Sequence, residues 1–445
     1  MLNRRHFAGA ALAFAGLATQ SRAAASGLMA TTPGYGPLQP DPAGLLDLPP
    51  GFSYRTVSQL GQKMSDGLLV PDRADGMGCF ALDKGRIALV RNHELQPRHR
   101  AKGPFGESAI NPAEAFDSRD GAALPGGTTT LVLDPASLTV EQEYLSLVGT
   151  IRNCAGGVTP WNSWLTCEES VDGPEDGVGQ PHGWMFDVPA DAGKLVKAEP
   201  LKAMGRFNRE AAAVDPRTGI VYMTEDRSDS LFYRFLPDVP GSLQRGGRLQ
   251  ALALHNRSFR DSRNWEGQAM QPGSWHFADW IDLDNPESPA DDLRTRGAAK
   301  GALVFARGEG VHWGEDELYF TCTSGGLAKQ GQIMRYRPSR HEGTAAESKL
   351  PGRLQLFLES TDRAQFSFGD NLTVAPNGHL IVCEDQYDDV VDNHLRGVTP
   401  HGEVYAFGRI RVQTEPAGVC FSPDGSTMFV NLYSPTRTLA IRGPF

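Results

Sequence analysis

A pattern that recurs six times constrains this chain more than anything else in it. Each unit has an acidic or small residue among small neighbours, then a strand, a turn, and a second strand that ends in polar residues. The units begin at Asp75-Gly76, Cys154-Ala155, Glu210-Ala211, Glu309-Gly310, Asp370-Asn371 and Ala417-Gly418. They turn at segments such as Asp83-Lys84-Gly85, Ala375-Pro376-Asn377-Gly378 and Ser422-Pro423-Asp424-Gly425, and close on Glu94, Glu168, Glu225, Thr323, Glu384 and Asn431. The turn residues supply positive or preset φ, and the β-branched and aromatic runs between them suit half-buried strands. First and last polar positions are 14 residues apart in four units, 15 apart from Glu210 to Glu225, and 19 apart from Asp75 to Glu94.

A third strand follows the units at residues 128–133, 183–188, 231–236, 332–336, 402–407 and 438–441. Six multi-stranded units predict an all-β fold, a six-bladed β-propeller, in which residues 52–57 supply an outer strand beside the last blade and close the ring. A pair of β-sandwiches is the alternative. Stretches 97–125 and 257–300 are polar, rich in Gly, Pro and Asp, and do not repeat; they read as loop insertions covering the channel mouth. No linker divides the chain, so residues 51–445 read as one propeller domain behind an N-terminal extension at 26–50.

Composition agrees with this. In 445 residues there are 50 glycines and 31 prolines, as a chain of many tight turns needs, and 40% hydrophobic residues exclude global disorder. A net charge of −10 argues against nucleic acid as a partner. Residues 1–25 read as a twin-arginine-type signal peptide: Arg4-Arg5 precedes an alanine-rich apolar run, and Ala23-Ala24-Ala25 offers a small-residue exit. That implies transient contact with the twin-arginine export machinery and a periplasmic or secreted protein. No stretch is long and apolar enough for stable membrane insertion, and a monomer is expected. The six cysteines are scattered without a CxxC pair, so five of them read as buried or incidentally paired thiols.

In a propeller the start of each innermost strand and the end of the strand beside it lie at one end of the channel. That converges Asp75, Cys154, Glu210, Glu309 and Asp370 with Glu94, Glu168, Glu225, Glu384 and Asp385. Like charges 4 Å apart repel by about 4 kcal/mol at an effective dielectric of 20, so cations are expected among them. Oxygen ligands suit Ca²⁺, while a thiolate at Cys154 selects a softer or more highly charged ion such as iron or zinc. Arg307, two residues before Glu309, places a cationic fork beside the cluster, as phosphate or carboxylate recognition requires. The same acids could instead hold one stabilising Ca²⁺ with Cys154 a passive small residue.

Several segments together resemble the PhoX family of secreted alkaline phosphatases: Arg91-Asn92-His93-Glu94, Asn153-Cys154-Ala155-Gly156-Gly157-Val158-Thr159-Pro160-Trp161, Leu165-Thr166-Cys167-Glu168-Glu169, Arg206-Phe207-Asn208-Arg209-Glu210, Thr224-Glu225-Asp226 and Arg307-Gly308-Glu309-Gly310. The resemblance spans about residues 51–441. It implies a channel holding an iron pair (Fe³⁺) and Ca²⁺ that hydrolyses small-molecule phosphate esters. By that resemblance Cys154 bridges the irons, and Glu210, Glu309, Asp370 and the second-strand acids are ligands. Arg307, Cys154 and Glu309 then stand as catalytic residues, with Arg307, Asn92 and His93 around the substrate. After Asn431 the chain departs from the family, reading Leu432-Tyr433-Ser434-Pro435 where members usually carry Gln and Pro-Gly. The competing readings are a Ca²⁺ propeller hydrolysing lactones and a Ca²⁺-stabilised exported binding module.

Overall fold

A computed structural model describes residues 33–445 except Glu107 and Ala109. The signal peptide lies outside the described residues. Six antiparallel blades stand around a channel lined by their first strands, Ala74–Ala81, Asn153–Val158, Arg209–Val214, Gly308–Trp313, Gly369–Val374 and Pro416–Phe421. Each first strand neighbours the next in chain order, and the sixth neighbours the first, so the ring is closed. Second strands Ile87–His93, Ser163–Glu168, Val221–Glu225, Leu318–Cys322, Leu380–Glu384 and Thr427–Leu432 run antiparallel beside them. This is the six-bladed propeller, not a pair of sandwiches.

Blades pack face to face, so their strands are apolar on both sides, and Ile87-Ala88-Leu89-Val90 is buried throughout. Between the third and fourth blades Phe232 stacks on Phe320 with ring centroids 4.2 Å apart. All six cysteines are free, and all but the half-buried Cys79 are buried. Ser53–Gln59 pairs with Arg437–Arg442 as the outer strand of the last blade, closing the ring between the two ends of the chain. The extension before it is no separate piece, because Leu46–Asp47 pairs with Ile410 and Arg409 on the edge of the fifth blade.

Two expectations need correction. In the fifth blade the third strand is His394–Val398, and stretch 402–407 falls largely in the fourth, Val404–Ile410. His394, Arg396 and Gly397 give that third strand little apolar signature. The 257–300 stretch is not all loop either. Its Trp275–Asp282 strand pairs with Gly247–Leu254 of the third blade and with Arg353–Glu359 of the fourth, fusing them into a nine-stranded sheet, and Leu293–Lys300 is an α-helix. No helix among the described residues is long and apolar enough to cross a membrane.

Candidate metal and phosphate site

The same irregularity opens every blade. Between Ala74 opposite His93 and Met77 opposite Arg91, the first strand has two residues, Asp75-Gly76, where the second has only Asn92. Equivalent bulges set Cys154-Ala155 against Cys167, Glu210-Ala211 against Thr224, Glu309-Gly310 against Thr321, Asp370-Asn371 against Cys383, and Gly418-Val419 against Val430. A bulge re-aims a side chain that a regular strand would place on a blade face. Here it presents one residue per blade to the channel, and the sixth position is Gly418 rather than Ala417. Gly76 and Gly310 follow two of these residues because the strands nearly touch: an added Cβ would lie 2.5 Å from Ala155 Cα and 2.7 Å from Asn371 Cα.

The preceding blade pins several of these bulges through their carbonyls. Asn92 Nδ2 donates to the oxygens of Cys154 (3.1 Å) and Ala155 (2.7 Å), Thr321 Oγ1 to Asp370 (2.7 Å), and Asn431 Nδ2 to Asp75 (2.7 Å). Thr224 does the same for Glu309.

Ligand atoms of Cys154, Glu169 and Glu210 lie within 4.8 Å of one another, and so do those of Glu210, Glu309 and Asp370. The Cys154 thiol donates to Asp75 Oδ2 at 3.4 Å. Burial first, then the neighbouring carboxylates, push Asp75, Glu169, Glu210 and Glu309 well above the usual carboxylate range. Asp370 is pushed up to about 8, by burial and then by Asp385. The Cys154 thiol is raised by burial and by Asp75, Glu210 and Glu169. Both Glu210 oxygens and Asp75 Oδ1 are buried without a hydrogen-bond partner among the described residues. Such a group of unpaired acids is stable only with protons or cations among them.

Three guanidinium groups border the acids from matching positions. Arg73, Arg152 and Arg307 each precede a channel residue by two and each adopt positive φ, of 56°, 50° and 54°. Arg307 fixes its head on Asp226 (2.6 and 2.9 Å) and Glu309 (3.0 Å), and Arg152 joins Glu94 (2.6 Å) to Glu169 (2.5 Å). Arg73 donates to the Tyr433 hydroxyl, which in turn donates to Glu94. Non-glycine residues at positive φ are sparsely populated and costly, and they tend to cluster at functional sites.

Of the residues expected here, Asp75, Glu94, Cys154, Glu210, Glu309, Asp370, Asp385 and Arg307 are brought together. Glu168, Glu225 and Glu384 are not. Each is the last paired residue of its second strand, so its side chain faces away from the channel and bonds within its own blade. Glu168 accepts from the amides of Ile151 (2.9 Å) and Gly183 (2.9 Å), Glu384 from those of Ser367 (2.9 Å) and His394 (3.0 Å), and Glu225 from the Tyr233 hydroxyl (2.7 Å). Asn92 is spent on Cys154, Ala155, Trp164 and Thr166, and His93 is buried between Asp72 O and Thr129 Oγ1. Neither Asn92 nor His93 can meet substrate.

His182 links Glu168 (2.5 Å) to Asp117 (3.1 Å). Burial opposes its charge, but Glu168 and Asp117 outweigh burial and push its pKa up to about 9 from 6.5. A raised pKa makes this bracket's contribution full below pH 6.5 and progressively lost up to about pH 9, by about 3 kcal/mol. Thermal melts should show wild type losing stability relative to His182→Gln across that window. A constant difference between them would contradict the charged bracket.

Glu169, Asp226, Glu415, Arg73, Arg152, Tyr387 and Tyr433 belong to the site without having been singled out from sequence. Alternation along the strand was the available signal for Glu169 and Asp226, which follow the outward-facing Glu168 and Glu225. An arginine two residues before Asp75, Cys154 and Glu309 was the signal for the other two guanidiniums. Glu415 reaches the acids from the loop before the sixth blade, where Gly418 brings no side chain; burial and Asp385 raise its pKa. Beyond the acids the channel is lined by small and apolar residues, including Ala211, Ala212, Ala213, Gly156, Gly157 and Val419.

The profile of the family described as alkaline phosphatase PhoX matches residues 33–436. No curated protein matches by sequence. Among solved structures the chain is similar to Pseudomonas fluorescens PhoX in complex with vanadate, a transition state analogue. The two share 18% identity at a TM-score of 0.67, over 90% of this chain and 96% of that one. It is more distantly similar to the gluconolactonase XC5397 from Xanthomonas campestris, with 14% identity and a TM-score of 0.41, over 92% of this chain and 98% of that one.

Proposed function

Because the chain belongs to the PhoX family of alkaline phosphatases, we propose that it hydrolyses phosphomonoesters at the channel mouth, on Fe³⁺ and Ca²⁺ held by the converging acids and Cys154. The observation that carries this is Glu210. It is shared by both ligand triads, its two oxygens are buried, and neither has a hydrogen-bond partner among the described residues. The thiol and carboxylates of Cys154, Glu169 and Glu210 suit iron, and the all-oxygen set of Glu210, Glu309 and Asp370 suits Ca²⁺. Bound there, such ions supply Lewis acidity at the phosphoryl oxygens and neutralise the charge on the transferring group.

The chain's own residues prepare the rest. Arg307 is braced through Nε and Nη2 on Asp226 and Glu309, and among the described residues its Nη1 has no partner, so one edge of the fork faces an incoming phosphoryl group. Burial pulls the guanidinium pKa down, but Glu309 and Asp226 overcome that and keep it charged at alkaline pH. Arg152 holds Glu94 and Glu169 at fixed separation, and the carbonyl pins from Asn92, Thr321 and Asn431 fix the backbone beneath Cys154, Asp370 and Asp75. The vanadate bound by Pseudomonas fluorescens PhoX supports a phosphoryl group as what such a channel receives. Export in the folded state by the twin-arginine route, with the metals already bound, accords with Arg4-Arg5 in the leader. Protein purified without a metal-binding tag should contain iron and calcium by elemental analysis and hydrolyse an aryl phosphate at alkaline pH. Calcium without iron, together with an absence of phosphoester turnover, would count against this reading.

A further inference from the structure

Tyr387 stands where the phosphoryl site opens to solvent. It is one of few large apolar side chains left exposed, at 58%. Its hydroxyl accepts from Arg307 Nη2 at 3.1 Å, and the guanidinium carbon lies 5.2 Å from its ring centroid. We propose that Tyr387 sets the leaving-group preference of this site: its ring is the platform on which the planar aromatic alcohol of an aryl phosphomonoester stacks. The inference rests on Arg307 as the dock for the phosphoryl group.

The surroundings of Arg307 favour this assignment. Its other partners, Asp226 and Glu309, are carboxylates, which repel an anionic ester and offer no apolar face. The Tyr387 ring adjoins the same guanidinium, so an ester docked on Nη1 has its organic group beside that ring. The ring is also held in place before substrate arrives. Phe368 meets it edge-on at 5.5 Å, and Gln386 anchors the loop through Asn393 Oδ1 (2.9 Å) and the Asp392 amide (3.1 Å). Arg363 pairs with Asp388 in the same loop. Preorganisation of this kind lowers the ordering cost of binding. The other tyrosine at the mouth, Tyr433, is half-buried and has its hydroxyl engaged by Glu94 and Arg73.

The test compares the metal-loaded wild type with Tyr387→Phe and Tyr387→Leu on 1-naphthyl phosphate and glycerol 3-phosphate. Each ester is referred to its own wild-type rate, so intrinsic leaving-group reactivity cancels. Tyr387→Leu should lose roughly ten-fold in kcat/KM on the naphthyl ester beyond any loss on the glycerol ester, the worth of one stacking contact. Tyr387→Phe should keep the naphthyl preference. Inhibition by inorganic phosphate, which has no leaving group, should change less than about three-fold in Tyr387→Leu, a factor worth under 1 kcal/mol. Equal losses on both esters, or a matching loss of phosphate inhibition, would mean the ring only braces Arg307, and the proposal would fall. If the wild type turned over neither ester, the phosphatase reading itself would fail and take this inference with it.

Discussion

Glu210→Gln is expected to act in opposite directions on the loaded and the metal-free protein. With ions bound, activity should fall by more than about 100-fold, since even the outer partners of metal ligands are worth 10–100-fold and Glu210 serves both triads. In the metal-free protein above pH 8 the same variant should be more stable than wild type, by about 1–4 kcal/mol. Burial and the charges of Glu309 and Asp370 raise the Glu210 pKa, and one like-charge pair at 4 Å costs about 4 kcal/mol at an effective dielectric of 20. The sign follows from linkage: an acid whose pKa is raised in the folded state stabilises less as pH climbs from its ordinary value through the raised one. Chelation followed by denaturant titration of both proteins checks the reversal. Destabilisation by Glu210→Gln in both states, or retention of a tenth of the activity, would remove Glu210 from the centre of the site.

What could be seen from sequence, and what could not, follows the range of the interactions. Turns such as Ser422-Pro423-Asp424-Gly425 and runs such as Leu380-Ile381-Val382 are local, so the six units and their order were legible. So was ring closure by the strand near residue 52, because its alternation needed only one partner of complementary pattern. Convergence of Asp75, Cys154, Glu210, Glu309 and Asp370 followed from topology alone. The bulge did not. It inserts one residue into each first strand, and a spacing count cannot distinguish a bulge from a longer turn. That ambiguity assigned Glu168 and Glu225 to the channel in place of Glu169 and Asp226, although each acidic pair was in plain view. A one-residue slip moves a side chain to the opposite face.

The remaining omissions come from segments that do not repeat. Glu415, Tyr387 and Tyr433 reach the acids from connections, where no periodicity announces them. Tyr433 lies within Leu432-Tyr433-Ser434-Pro435, the stretch that departs from the family pattern. There its hydroxyl joins Arg73 to Glu94, beside a blade whose Gly418 offers no ligand. The Trp275–Asp282 strand was hidden for another reason: it belongs to no single blade, and its two neighbours, Gly247–Leu254 and Arg353–Glu359, are far apart in sequence.

Arg91 shows how a motif residue can serve the fold while its neighbours suggest catalysis. It is fully buried on the second strand of the first blade, and desolvation lowers its pKa. Its guanidinium donates to Glu143 (2.9 Å) and Thr129 (3.0 Å) within that blade, and across the seam to Ser58 (3.1 Å) and Thr438 (2.6 Å) of the last. Ser58 returns a bond to Glu143 at 2.7 Å. The seam between first and last blades is where the ring is closed by two chain ends, and this polar latch spans it. Arg91→Met should destabilise the protein by about 3–5 kcal/mol, because it strands Glu143 as a buried charge with little compensation. Pairing it with Glu143→Met should recover most of that loss, since a buried ion pair replaced by apolar residues of similar volume is often neutral. Denaturant titration of the single and double variants distinguishes a latch from simple packing. If the single variant lay within 1 kcal/mol of wild type, or the double variant were worse than the single, closure would rest on the strand pairing of Ser53–Gln59 with Arg437–Arg442 alone.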